Sequence, residues 1–209
     1  MQDEPQRTSK APNAPTGLLY VADFLSPPEQ ARLVEAVGAM PLEPAQYKQF
    51  TAKRRVIHFG GRYDFSAQEL LASESIPEVL LPLRERIAAA AAVAPGAFSH
   101  AMVAEYRSGT QLGWHRDVPD FEIVAGVSLV AAARMQFRPY VAAERLRKHY
   151  LNLLLEPGSL YVLRDSARWS WQHRVPPVTR LRYSITFRTR RTAFKADSNT
   201  DSRRPSARG

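Results

Sequence analysis

The chain has 209 residues, 44% of them hydrophobic and 23% charged, with a net charge of +9. That length makes one domain the default and is enough to bury a core. There is no cysteine, which excludes a disulfide framework, a thiolate zinc site and a cysteine nucleophile.

No apolar stretch approaches the length of a membrane span, and the N-terminus lacks a basic region followed by an apolar core. A cytoplasmic location is therefore expected. The positive charge favours polyanionic partners through long-range attraction and counterion release. Plain solubility is the alternative.

Residues 1–15 are polar, proline-rich and without period, as in a disordered leader. Residues 16–192 read as one folded domain. Residues 17–23 open it as a short strand. Ser26-Pro27-Pro28-Glu29 has the form of a capping box with proline in the first turn. The helix it starts runs to about residue 40, with Ala31, Val34, Ala36 and Val37 as its expected buried stripe. Pro41 and Pro44 end it. Within residues 47–65, a strand over 53–59, a Gly60-Gly61 turn and a return over 62–65 predict a hairpin. It carries cations and aromatics together, which suits bases and phosphates of a single strand. Arg54, Arg55, Phe59, Arg62 and Tyr63 are the candidate substrate contacts there. An amphipathic hairpin with its aromatics turned inward is the alternative. Good helix formers over 77–93 predict a second helix, stopped by Pro95-Gly96.

From residue 100 the pattern turns to strands, at 102–106, 123–130, 134–138, 150–155, 158–163 and 181–189. Gly126 interrupts a near-continuous apolar strand and allows close approach. With roughly eight short strands and two early helices, the expected fold is α+β and mainly β. Its core would be a double-stranded β-helix of the jelly-roll kind, with the two N-terminal helices packed on it.

Gly113-Trp114-His115-Arg116-Asp117 lies in this region. In extended chain, positions i and i+2 share a face, so His115 and Asp117 can offer a nitrogen and a carboxylate oxygen to one point. A second histidine would complete a two-histidine, one-carboxylate set, which leaves open positions on Fe(II). His173 and His149 are the candidates. His149 lies beside Arg147 and Lys148, where a cation meets repulsion, so His173 is preferred. Over 182–188 the residues alternate, with Arg182, Ser184, Thr186 and Arg188 on one face. Two inward arginines need anionic partners. A dicarboxylate such as 2-oxoglutarate supplies two, each matched to the guanidinium fork. A solvated turn and a wet strand face are the plainer readings of these two motifs.

Tyr106 with Gly109, His115-Arg116-Asp117, His173 and Arg182-Tyr183-Ser184-Ile185-Thr186-Phe187-Arg188 together resemble the AlkB-type Fe(II)- and 2-oxoglutarate-dependent dioxygenases. The resemblance covers roughly residues 17–190 and is most specific in the last motif. It implies His115, Asp117 and His173 as iron ligands and Arg182 on the distal carboxylate of 2-oxoglutarate. Arg188 would sit near the chelating end, with Tyr106, Ser184 and Thr186 in support. Residues 47–65 would be a nucleotide-recognition lid, and Trp114 is a candidate pocket residue, with a core tryptophan as the alternative. Ala104 and Ser184 stand where the family often has asparagine. The resemblance implies oxidative demethylation of N-alkylated bases in single-stranded DNA or RNA, and a monomer is expected. An oxygenase of protein or small molecules, and a nucleic-acid-binding module with a vestigial iron site, stay open. Beyond Arg188 the basic tail, 193–209, is either a nucleic-acid arm or a solubilising segment.

Overall fold

The computed structural model describes residues 14–47, 49–64, 69–145 and 150–191. The expected leader up to residue 13, the rival ligand His149 and the basic tail from residue 192 lie outside the described residues. The elements run β1 Leu18–Val21, α1 Pro27–Gly38, β2 Glu43–Tyr47, β3 Phe50–Phe59, β4 Arg62–Asp64, β5 Glu69–Leu71 and α2 Leu81–Ala90. Then follow β6 Phe98–Tyr106, β7 Leu112–His115, β8 Phe121–Leu129, β9 Ala133–Pro139 and β10 Leu151–Leu155. The chain continues through β11 Leu160–Leu163, α3 Asp165–Trp169, β12 Trp171–Val175 and β13 Arg182–Arg190.

Two antiparallel sheets face each other. The larger has the order β1-β11-β8-β13-β6-β3-β2, and the smaller has the order β10-β9-β12-β7. The expected jelly-roll core, with two helices preceding it, is therefore present. The short α3 was not foreseen.

Each strand of the larger sheet divides its residues between two faces. One face, with Ala101, Val103, Val127, Ile185 and Phe187, buries Leu33 and Val37 of α1 and Leu83 and Ile87 of α2. Burying such a side chain is worth about 1.5–3 kcal/mol. The other face looks into the barrel. There, two apolar clusters flank a polar middle. One is Val124, Met135, Phe137, Leu155 and Leu163, and the other is Met102, Ala104, Ala133 and Val175.

The start of α1 follows its sequence. The Glu29 carboxylate accepts from the Ser26 backbone N–H at 2.8 Å and from its hydroxyl at 2.7 Å. The buried stripe differs from expectation. Val37 is buried and Val34 packs against the core as expected, but Ala31 is exposed and Leu33 is buried in addition. The second helix is shorter than 77–93. It begins with a 3-10 turn, and Ala92 ends it at φ 53.

The hairpin expected at 47–65 is not formed. β3 has β2 on one side and β6 on the other, so neither edge is open to β4. β4 pairs with β5 instead. Gly60, at φ +76, turns the chain away, and a Cβ there would lie 1.9 Å from the Ser99 carbonyl oxygen. Among the described residues, no helix is long and apolar enough to cross a membrane.

Candidate metal centre

β12 lies beside β7, and His173 is in direct register with His115. Their rings stand 4.3 Å apart between centroids. A bulge between His173 and Val175 shifts the register, so that Val175 pairs with Leu112. Asp117 follows β7 directly. One donor atom from each of His115, Asp117 and His173 lies within 4.8 Å of the others.

Two of the three donors are held by a further group. The His115 Nδ1 lies 2.8 Å from the Gly113 carbonyl oxygen. A carbonyl can only accept, so Nδ1 carries the proton and Nε2 keeps its lone pair. Arg188 donates to Asp117 Oδ1 through Nε and Nη2, both at 3.1 Å. This leaves Asp117 Oδ2 facing His173 Nε2 at 3.6 Å. Arg188 Nη1 is itself steadied by the Thr186 hydroxyl at 3.2 Å.

The electrostatics suit a cation. Burial alone would raise the Asp117 carboxyl, but Arg188, then His173 and His115, hold it well below the usual carboxylate range. Burial, reinforced by His115, lowers His173 to about 3. Burial likewise lowers His115. At neutral pH the trio is thus one carboxylate and two neutral imidazoles, the protonation state that metal binding needs.

A second feature adjoins it on β13. Arg182 is 1% exposed. Its Nε donates to the Ser128 hydroxyl at 2.9 Å, and its guanidinium lies 5.0 Å from the centroid of the Tyr106 ring. Among the described residues it has no carboxylate partner. A buried guanidinium without an anion is costly, so this wall of the barrel fits a bound carboxylate. Ser184 and Thr186 are buried between Arg182 and Arg188. Tyr106 is buried too, and its hydroxyl accepts from Arg54 Nη1 at 3.4 Å. Burial opposes ionisation of Tyr106, but Arg54 and Arg182 together bring its pKa below the ordinary value. Donor set and unpaired cation together fit Fe(II) and 2-oxoglutarate.

The expected substrate contacts separate. Arg54 faces the barrel beside Tyr106. Arg55 points to the opposite face, where it meets Glu105 at 3.4 Å and the Leu42 carbonyl. Phe59, 3% exposed, belongs to the core beneath the helices. The alternation of β3 dictates both corrections. Arg62 and Tyr63 lie on β4, and their side chains are outside the described residues. Trp114 does not line the pocket. It is adjacent to His115 in β7, so it takes the other face and lies under the guanidiniums of Arg138 and Arg174.

Two buried residues of the site carry no local signal in the sequence. Arg168, on α3, donates through Nη2 to the carbonyls of Val118 at 2.7 Å and Phe121 at 2.8 Å. It thereby ties down the loop that follows Asp117. Tyr161 pairs with Gly126 on the barrel face, and a Cβ at Gly126 would stand 2.7 Å from its ring and hydroxyl. Gly126 is the space that this ring fills, next to Thr186. Burial, then Asp117, pushes the Tyr161 hydroxyl up, so it remains a donor. The glycine inside an apolar strand is the sequence signal that could have found it.

Known proteins agree with this geometry. A probable RNA/DNA demethylase, ALKBH6, from Danio rerio is 27% identical over 168 residues, covering 77% of this chain and 69% of that protein. An alkylated DNA repair protein ALKBH8 homolog from Arabidopsis thaliana is 28% identical over 184 residues, covering 77% of this chain but 51% of its own length. The solved structure of OsALKBH1 superposes with a TM-score of 0.66 at 16% identity, covering 88% of this chain and 100% of that one. That identity speaks for the fold alone. The 2OG-Fe(II) oxygenase superfamily matches residues 17–194. The chain therefore belongs to the 2OG-Fe(II) oxygenase superfamily.

Proposed function

We propose that this dioxygenase removes methyl groups from N-alkylated bases in single-stranded nucleic acid. The observation that carries the chemistry is the convergence of His115, Asp117 and His173 beside the unpaired, buried Arg182. The substrate class is supported by the relative named a probable RNA/DNA demethylase and by the charge of +9.

His115, Asp117 and His173 would hold Fe(II), and Arg182 would receive the distal carboxylate of 2-oxoglutarate. Together with O2, these cofactors supply hydroxylation of a substrate C–H bond, with 2-oxoglutarate leaving as succinate and carbon dioxide. The protein's part is to hold and aim. Arg188 keeps Asp117 ionised and turned so that Oδ2 faces the centre. The Gly113 carbonyl fixes the His115 tautomer, and Arg168 secures the loop. The apolar clusters at both ends of the barrel exclude water from the polar middle. Arg54 and Tyr106 line the side nearest the β2–β3 edge, where an unstacked base would enter. An N-hydroxymethyl product then separates into formaldehyde and the bare base.

All three candidate ligands come from one chain, so the working unit is proposed to be the monomer. The test is mass spectrometry of an N-methylated single strand after incubation with Fe(II), 2-oxoglutarate and O2. Loss of the methyl group with matching formaldehyde supports the reading. Succinate formed without any change in the base points to a protein or small-molecule substrate instead.

A further inference from the structure

The outer face of the smaller sheet carries a cluster of arginines. Arg134 and Arg138 on β9 and Arg174 on β12 project from it, on the side opposite Met135, Phe137 and His173. Arg145 joins them at the end of β9, where its Nε donates to the Pro139 carbonyl at 3.1 Å.

Some arginines of this chain meet carboxylates, while others, such as Arg116 and Arg164, meet backbone carbonyls. Arg55 and Arg107 meet Glu105, Arg86 meets Glu29, and Arg191 meets Glu122. Among the described residues, none of the four cations on this face has an ion-pair partner. Neutral amides stand where acids would serve. Gln172 accepts from Arg138 Nε at 3.0 Å, and Gln136 accepts from Arg174 Nε at 2.6 Å.

This bonding has a consequence. Each amide holds its guanidinium by Nε. The Trp114 ring lies 4.3 Å from the Arg138 guanidinium and 4.8 Å from that of Arg174, which steadies both further. The charge is not neutralised, and among the described residues the terminal nitrogens of both forks have no hydrogen-bond partner. Guanidinium forks match phosphate oxygens in pairs. Placing several like charges on one sheet face costs stability unless an anion arrives. Exposed Tyr150 borders the patch and offers a ring on which a base stacks.

We propose that this face binds the sugar-phosphate backbone of the single strand outside the target base. It lies behind the iron centre, on the far side of the strand that carries His173, and so acts as a docking surface separate from the reaction. The proposal rests on the nucleic-acid reading above, but its test needs no turnover.

The test is fluorescence anisotropy of a labelled, unmethylated single-stranded oligonucleotide, titrated with the full chain at several salt concentrations. Two variants are compared with the wild type. One is the double change Arg138→Gln with Arg174→Gln, and the other is Arg134→Glu at an exposed position. Iron(II) titration of each variant checks that the centre is intact. The double change should weaken binding roughly tenfold, the loss expected for charge-assisted contacts. It should also reduce the slope of log K against log salt by about 1.4, since each phosphate contact on a single strand contributes about 0.7. Arg134→Glu should weaken binding as well. Unchanged affinity and slope in both variants would overturn the proposal. So would a wild type that binds heparin but no oligonucleotide, since the face would then serve another polyanion. If the variants lose binding but methylated strands are not demethylated, the surface stands and the demethylase reading fails.

Discussion

Arg182→Met separates a cofactor-binding arginine from a structural one. Arg182 is 1% exposed and its Nε donates to the Ser128 hydroxyl, so among the described residues the folded protein bears a buried charge with no carboxylate beside it. Methionine is of similar reach and apolar. Replacing a poorly compensated buried charge with an apolar side chain is often neutral or stabilising. Loss of the Ser128 contact costs about 1 kcal/mol, which offsets part of that gain. The apo protein should therefore melt within a few degrees of the wild type. Binding of 2-oxoglutarate should behave differently. Hydrogen bonds to a charged group are worth about 1.5–3 kcal/mol each. Losing a paired set costs about 3 kcal/mol or more, close to a hundredfold in affinity at about 1.4 kcal/mol per decade. Anaerobic calorimetric titration of 2-oxoglutarate into the Fe(II)-loaded variant reads this directly. A collapsed melting temperature with unchanged 2-oxoglutarate affinity would refute the reasoning and make Arg182 a structural residue.

Asp117→Asn should do the reverse to the fold. It leaves Arg188, now paired, without its carboxylate, and breaking a largely buried pair costs about 3 kcal/mol. Thermal melting of the apo protein should show that loss, and Fe(II) titration should show affinity falling by roughly a hundredfold or more. Gly126→Ala should destabilise by about 1–3 kcal/mol, because the new methyl overlaps the Tyr161 ring. Adding Tyr161→Leu should recover most of it in urea unfolding, and no recovery would contradict the packing described. His100 is held neutral by burial, then by Arg190 and Arg188, so its folded pKa lies below the ordinary value. The unfolded chain takes up the proton first as pH falls through about 6.5, so this contribution is full above that pH and lost below it. His100→Gln should therefore flatten the fall in urea midpoint between pH 7 and pH 5.

Much of this site is local in the sequence. The spacing of His115 and Asp117 places both near one point because neighbouring strand positions alternate. The alternation over 182–188 sets Arg182, Ser184, Thr186 and Arg188 on the barrel face for the same reason. The cations beside His149 and the place of His173 just before the 182–188 strand favour His173, and the structure sets it in register with His115. What stayed hidden depends on partners distant in the chain. Residues 53–65 have the pattern of a hairpin, yet both edges of β3 are taken by β2 and β6, a fact of sheet order. Trp114 reads as a pocket residue until its strand face is known. Arg168 acts on carbonyls 47 and 50 residues away, and no spacing rule reveals that. Gly126 announces close approach, but only the pairing with β11 names Tyr161 as what approaches.

The central claim is that His115, Asp117 and His173 support oxidation coupled to an alkylated base. Succinate production with Fe(II) and ascorbate tests it most directly, compared without oligonucleotide, with a plain single strand and with an N-methylated one. The account predicts stimulation by the methylated strand alone, abolished in His115→Ala. Equal slow turnover in all three would contradict the assigned substrate, and no succinate from the iron-loaded protein would contradict the catalytic centre itself.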